Sequence, residues 1–167
     1  MKNGELPEFL HPQVWWILMG SNDLAVGCSG DVVVAGVIRL VQEIKDHLKH
    51  HHAKRGEAGK HAPIVMNSIL PRAPARLDTN ENPYWRVTQD VNLRLSCYAD
   101  ITSDVSFANT TKLFIRQEHK ATEGRDGIYI HPDMYERDKL HPSVEGSRRW
   151  ETFVVDEALS LVAGEAH

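Results

Sequence analysis

Six consecutive apolar residues, from Val14 to Met19, constrain the fold more than any other part of the sequence. The run has the length of a β-strand and is rich in aromatic and branched side chains, and it stops at the polar segment Gly20-Ser21-Asn22-Asp23. A strand without polar alternation is buried on both faces, which is typical of a parallel sheet covered by helices. We therefore expect residues 14–19 to form a strand of an α/β domain.

The rest of the chain continues this alternation of strands and helices. The expected elements are, in chain order, a long helix after a Ser29 N-cap that ends before Gly56, a strand over 62–70, a helix over 84–98, a strand over 104–108, a loop with a little helix over 112–126, and a last helix with Pro142 in its first turn. This order predicts a parallel sheet with right-handed crossovers, in three α/β/α layers.

Length and charge narrow the class of protein. A chain of 167 residues with 41% hydrophobic residues is expected to form one domain over 1–167. The net charge of -4 does not favour nucleic acid or anionic lipid as a partner, and no apolar run approaches the roughly 18 residues that a membrane span needs. Two cysteines, Cys28 and Cys97, do not build a disulfide framework.

Asp138 and His141 form the sharper of two candidate clusters. An Asp three residues before a His, where a loop enters a helix, allows the carboxylate to accept a hydrogen bond from one ring nitrogen and leaves the other nitrogen able to take a proton. The same spacing is also consistent with a surface ion pair or a cap at a helix start. The spacing alone does not decide between these interpretations.

Gly20-Ser21-Asn22-Asp23 is the second cluster, and it follows the first strand directly. Ligand sites in open parallel sheets form beyond the carboxyl ends of the strands. An Asn22 amide at this place would be able to donate hydrogen bonds to a developing oxyanion, whereas an ordinary Asx turn would use the same residues without any catalysis. Arg72 follows the second strand at the same edge, where it would contact a substrate or pair with an acidic neighbour.

Taken together and in this order, the two clusters resemble the SGNH hydrolases, also called GDSL-type esterases and lipases. The resemblance is closest to the platelet-activating-factor acetylhydrolase-like branch. The segments that carry it are Asn3-Gly4-Glu5-Leu6, Gly20-Ser21-Asn22-Asp23, Ser68-Ile69-Leu70-Pro71-Arg72, Asp138-Lys139-Leu140-His141 and His141-Pro142-Ser143-Val144-Glu145-Gly146. The resemblance implies a flavodoxin-like sheet, a catalytic Asp138–His141 pair, Asn22 as an oxyanion-hole donor, and Gly20, Asp23 and Arg72 as supporting or substrate-contacting residues.

The family's Gly-Asp-Ser block, whose Ser is the nucleophile, has no match in this sequence; Gly30-Asp31, for example, is followed by Val32. The resemblance therefore implies that the first strands of the fold are missing and that the chain is the C-terminal part of the domain. Strand 14–19 would then be an exposed edge, which favours self-association, and the chain alone is expected to be inactive.

The resemblance implies a serine ester hydrolase that forms an acyl-enzyme on small acyl esters and needs neither a metal nor an organic cofactor. The alternative is an inactive fragment or a partner subunit that pairs with another chain through the exposed strand. A third hypothesis is a metal site built from His47 and His51, which lie four residues apart. The compartment stays open, with the cytoplasm as the default, because the missing N-terminal part would carry any export signal.

Overall fold

Three parallel strands form the sheet on which the fold is built. They are β1 (Trp15–Ile17), β2 (Ile64–Asn67) and β3 (Val105–Ala108), in the spatial order β1-β2-β3. Every residue of β2 is buried, as expected for a strand with neighbours on both sides and both faces covered. The structure is a computed structural model and describes residues 12–55, 62–73, 83–120 and 125–164. It confirms the predicted α/β class and its parallel sheet.

Four helices accompany the sheet: α1 (Ser21–Ala25), α2 (Gly30–Arg55), α3 (Trp85–Asp100) and α4 (Val144–Ala163). Helix α2 follows Ser29, as the sequence predicts, and its apolar stripe is buried against the sheet. The stripe and the strand residues belong to one hydrophobic cluster that also contains α3 residues; its members include Val34, Val37, Val41, Ile44, Leu48, Ile17, Ile64, Met66, Val91 and Leu95. Helices α2 and α3 therefore cover one face of the sheet.

The opposite face is organised around a buried amide. Because side chains alternate along a strand, Asn67 points away from the face that Met66 presents to α2. The indole Nε1 atoms of Trp16 and Trp150 each lie 3.2 Å from Asn67 Oδ1 and donate to it. Asn67 Nδ2 donates to Thr110 Oγ1 at 2.9 Å. Trp150 thus connects α4 to the second face of the sheet.

Residues 112–126 contradict the expected loop. The chain forms an antiparallel hairpin of β4 (Ile115–Lys120) and β5 (Arg125–Ile130), preceded by a 3₁₀ turn over Thr111–Leu113. Backbone pairing joins the two strands, and the end of β5 is anchored by the fully buried Ile130, so β4 needs no strongly alternating apolar pattern. Strand β4 was not predicted because its sequence is mostly charged or polar and has no apolar periodicity; it reads Ile115-Arg116-Gln117-Glu118-His119-Lys120.

Helix α4 begins later than expected. Pro142 lies before the helix, in a bridge with Tyr135, and Ser143 is the N-cap, whose Oγ accepts a hydrogen bond from Gly146 N at 3.0 Å. A Cβ atom on Gly146 would lie only 2.1 Å from Met134 O. Glycine therefore allows the first turn of α4 to press directly on the backbone of the preceding turn. Ser143 and Gly146, two residues of the matching segment His141–Gly146, therefore have structural roles that do not depend on catalysis.

Strand β1 lies at one edge of the described sheet. Trp15 N donates to Pro63 O at 2.9 Å, on the β2 side. Backbone groups alternate in direction along a strand, so those of Trp16 point to the outer edge, where no described residue pairs with them. Leu18 and Met19 follow the strand and are each 39% exposed. Among the described residues, β1 thus has the open edge that the sequence predicts.

We expect Gly146→Ala to lower the free energy of unfolding by about 1–3 kcal/mol, the usual cost of overpacking, or by more. The added methyl group would overlap a backbone oxygen, which has no rotamer with which to move away. Urea unfolding followed by circular dichroism measures the change.

Gly36→Ala is the matched control, since Gly36 is an exposed residue of α2 with no atom within 4 Å of its added Cβ. It should raise the free energy of unfolding by up to about 1 kcal/mol through helix propensity. Similar effects of the two substitutions would contradict the tight contact at Gly146.

Candidate active site

The Asp138–His141 turn brings its two side chains into direct contact. His141 Nδ1 lies 2.6 Å from Asp138 Oδ2. The other carboxylate oxygen, Oδ1, accepts from the backbone N–H groups of Leu140 and His141, both at 2.9 Å. Lys139 takes a left-handed conformation with φ of 57°, which closes the turn. Asp138 is therefore both the cap of its own turn and the partner of the imidazole.

Protonation of the pair follows from these contacts. The hydrogen bond from His141, helped by the two backbone N–H groups, lowers the pKa of Asp138 from 3.8 to about 2. An ionised carboxylate only accepts hydrogen bonds, so Nδ1 of His141 carries the hydrogen. With the hydrogen on Nδ1, Nε2 is the ring nitrogen left to take up a proton, and this atom has no hydrogen-bond partner among the described residues. His141 is 71% exposed, so Nε2 is accessible.

Gly20 and Asn22 lie where β1 gives way to α1. Gly20 has φ of 108°, and an added Cβ would lie 2.7 Å from Val33 Cγ1 and 2.8 Å from Ile69 Cδ1. Only glycine therefore lets α1 start this close to α2 and to the segment after β2. Asn22, in the first turn of α1, is exposed. Its neighbour Asp23 is also exposed, and its side chain bonds to no described residue.

Arg72 connects the two clusters. Arg72 Nη1 donates to Asn22 Oδ1 at 3.3 Å. The next residue, Ala73, donates its backbone N–H to Lys139 O at 3.2 Å, within the Asp138–His141 turn. Two successive residues of one extended segment thus contact the Asn22 amide and the turn that holds the imidazole. The candidate residues predicted on separate segments lie at the same carboxyl edge of the sheet.

Residues without a predicted role hold this segment in place. Asn92 of α3 pairs with Ile69 like a neighbouring strand: Ile69 N donates to Oδ1 at 2.7 Å, and Nδ2 donates to Ile69 O at 3.3 Å. The Ser68 hydroxyl, fully buried, accepts from the backbone N–H groups of Thr110 and Thr111, both at 3.0 Å. The buried Tyr135 hydroxyl donates to Pro71 O, and burial raises its pKa.

Sequence reasoning missed most of these anchors. Ser68 was part of a matching segment, but Asn92 and Tyr135 lie 23 and 64 residues from the atoms that they bond. No local pattern signals a contact of that span. Only the general rule that buried polar atoms need partners would have directed attention to them.

The histidine-rich end of α2 does not form a described metal site. Within the described ranges, no three His, Cys, Asp or Glu side chains come together as metal ligands do. The side chain of His51 lies outside the described residues, and the His47–His51 site therefore remains a hypothesis. Helices in the same ranges are also too short or too polar to cross a membrane.

Comparison with solved structures identifies the fold. A protein from Bacteroides fragilis described as an acylhydrolase superposes with a TM-score of 0.66 at 18% identity, covering 90% of this chain and 63% of that one. A GDSL-like lipase from Bacteroides thetaiotaomicron gives 0.61 at 20% identity, with 90% and 63% covered. A protein from Streptococcus pneumoniae described as a platelet-activating factor gives 0.61 at 15% identity, with 87% and 59% covered.

These likenesses show that the chain has an SGNH hydrolase-like fold, as the sequence resemblance predicts. The chain spans about 59–63% of the length of these three structures. No sequence profile of a known family matches the chain, and no curated protein sequence is similar to it.

We expect His141→Ala to move the pKa of Asp138 from about 2 towards its ordinary 3.8. The value should stop short of 3.8, because the backbone N–H groups of residues 140 and 141 remain. A titration of the Asp138 carboxyl carbon by NMR measures it, and an unchanged midpoint would contradict the pairing.

The same shift fixes the sign of the pH dependence. A carboxyl whose pKa falls on folding stabilises the folded state above about pH 3.8 and loses that contribution as the pH falls towards 2. Asp138 is 44% exposed, so solvent screening keeps the effect on global stability small.

Proposed function

We propose that this chain carries the acid–base pair and an oxyanion donor of an SGNH-type serine ester hydrolase, whose nucleophile comes from a segment outside residues 1–167. The observation that carries the proposal is the 2.6 Å contact of His141 Nδ1 with Asp138 Oδ2, which leaves an accessible Nε2. An ionised acid, an oriented imidazole and a free basic nitrogen are what a serine nucleophile requires. The SGNH hydrolase-like fold supports the same reaction class.

Acyl transfer would proceed in two halves. In the first, His141 Nε2 takes the proton of the serine hydroxyl as its oxygen bonds to the ester carbonyl carbon; the tetrahedral intermediate then expels the alcohol, which receives that proton from Nε2. In the second, Nε2 takes a proton from water as the water attacks the acyl-enzyme, and returns it to the serine oxygen as the acid leaves. Asp138 stays ionised and stabilises the imidazolium in both halves.

Asn22 would bind the negative oxygen of the tetrahedral intermediates. Its Nδ2 has no partner among the described residues, so two N–H donors are available. The site that this amide would form is connected to the imidazole turn through Arg72 and Ala73. Removal of one such donor typically lowers kcat by about 10²–10³-fold.

Two serines of the matching segments, Ser68 and Ser143, already use their hydroxyls in other hydrogen bonds. Ser143 Oγ accepts from Gly146 N and donates to Asp133 O at 2.6 Å. Ser68 is fully buried, and its hydroxyl accepts two backbone N–H groups. Neither is available to attack a bound ester. This supports a nucleophile from another segment.

Two surfaces that no described residue covers support a missing part of the domain. One is the outer edge of β1. The other is a stripe on α4 made of Val155, Leu159 and Val162, which are 47%, 63% and 49% exposed. These three lie at helical spacing, away from the side that carries Trp150. A further strand and helix would cover both, and the matched structures have more than a third of their length outside the match.

Substrates of this site would be small acyl esters, such as acetylated lipids or sugars. The proposed chemistry uses only protein groups, so it requires no metal ion or organic cofactor. The chain by itself would be inactive, since the Gly-Asp-Ser block, whose Ser would supply the attacking oxygen, has no match in this sequence.

The test begins with the coding sequence in frame upstream of Met1, which we expect to encode a Gly-Asp-Ser block. Expressed with that segment, the protein should hydrolyse p-nitrophenyl acetate. His141→Ala should reduce kcat by at least about 10⁴-fold, on the scale seen for triad residues. Asn22→Ala should reduce kcat by about 10²–10³-fold with little change in KM.

His50→Ala is the matched control, an exposed histidine of α2 outside the site, and should leave kcat unchanged. Near-normal hydrolysis by the His141→Ala variant, with the fold intact, would remove His141 from the mechanism. A stop codon upstream of Met1, with no further exon, would contradict a nucleophile encoded on the same polypeptide.

The open edge of β1 favours a second candidate function, that of an inactive partner chain that pairs through this strand. In that case the chain alone should self-associate with rising concentration, and Leu18→Lys should suppress the association because an edge lysine opposes strand pairing. Light scattering coupled to size-exclusion chromatography measures the mass.

Ile101→Lys is the control for Leu18→Lys, because Ile101 is 85% exposed at the end of α3, away from β1. Equal effects of both substitutions would contradict pairing through β1. A chain that stays monomeric at every concentration would contradict self-association.

A further inference from the structure

The hydrogen bond between Arg72 and Asn22 fixes which way the Asn22 amide faces. An amide has an acceptor end and a donor end of nearly equal shape. A guanidinium has only donors, so the atom 3.3 Å from Arg72 Nη1 must be the oxygen Oδ1. The two N–H bonds of Nδ2 therefore point away from Arg72, and they bond to no described residue.

Arg72 is itself anchored from both sides. The preceding carbonyl, of Pro71, accepts the hydrogen bond of the buried Tyr135 hydroxyl. The following backbone N–H, of Ala73, donates to Lys139 O. The base of the arginine side chain is thus tied to the same turn that positions His141. Within the described part of the chain, Arg72 forms no ion pair with a carboxylate. The position of its guanidinium next to the Asn22 amide is therefore not set by a neighbouring acidic side chain.

We infer that Arg72 is a positioning residue, which holds Asn22 Oδ1 so that the Nδ2 donors face the oxyanion. The inference rests on the proposed function, because it assigns a role to Asn22 in that reaction. Asn22 is exposed and its terminal torsion is broad, so nothing else in the described structure selects one orientation. The opposite orientation would present a lone pair of Oδ1 to a developing negative charge.

The positive charge adds a second effect. A guanidinium next to Oδ1 draws electron density towards the oxygen and makes the Nδ2 hydrogens better donors. Substitution of Arg72 should therefore lower kcat rather than raise KM. An arginine that bound the substrate directly would have the opposite signature.

The first test needs no hydrolysis. In the ¹⁵N-labelled chain, the side-chain NH₂ signals of Asn22 are assigned by their loss in Asn22→Ala. Arg72→Met should lower their heteronuclear NOE and shift them towards the values of a free amide, whereas Arg72→Lys, which keeps a donor-only cation, should restore part of both. Arg39→Met, which removes an arginine bonded to Glu43 on α2, should leave the Asn22 signals unchanged.

The second test uses the enzyme expressed with its upstream segment. Arg72→Met should lower kcat by about 10-fold, less than the 10²–10³-fold scale for loss of a whole oxyanion donor. KM should stay the same, and the substitution should cause no further loss in an Asn22→Ala background. Arg72→Lys should recover part of the kcat.

The outcomes separate this inference from the proposed function. An unchanged NOE in Arg72→Met, a raised KM at constant kcat, or additive losses with Asn22→Ala would each overturn the role of Arg72. Loss of NOE with no effect of Asn22→Ala on kcat would instead overturn the oxyanion role of Asn22, and with it the catalytic consequence of the orientation.

Discussion

The extended segment from Ser68 to Ala73, which continues β2 beyond the sheet, joins every part of the candidate site. Its backbone is paired by the Asn92 amide at Ile69 and by the Tyr135 hydroxyl at Pro71. Its side chains and terminal N–H reach the Asn22 amide and the imidazole turn. Because this one segment bonds both the Asn22 amide and the Asp138–His141 turn, a displacement of the segment would disturb the amide and the turn together.

Much of the fold was predictable because its central elements bury apolar side chains. The strands around residues 15–17 and 64–67 are apolar runs, and α2 has a regular apolar stripe. The hairpin over 115–130 was missed because β4 is largely polar in sequence and the apolar residues of β5 are confined to its last three positions. The start of α4 was misplaced by two residues, since a bridge between Tyr135 and Pro142 keeps the proline outside the helix.

The contacts of the candidate site were likewise predictable only in part. The contact between Asp138 and His141 spans three residues, so a short motif was enough to predict it. The bond between Arg72 and Asn22 spans fifty residues, and its existence depends on how two strands end at the same edge of the sheet. Sequence reasoning placed both residues at that edge but offered an acidic neighbour or a substrate as the partner of Arg72. Only the folded structure shows that the partner of Arg72 is the neutral amide of Asn22.

The Asp138–His141 turn is closed by its own backbone, since Leu140 and His141 donate to the same carboxylate that holds the ring. Four consecutive residues thus contain the acid, the base and the scaffold that aligns them. Such a unit can assemble independently of the residues that bring the reacting oxygen. In the proposed hydrolase, the proton-transfer pair would therefore be aligned before the segment that carries the nucleophile packs against it.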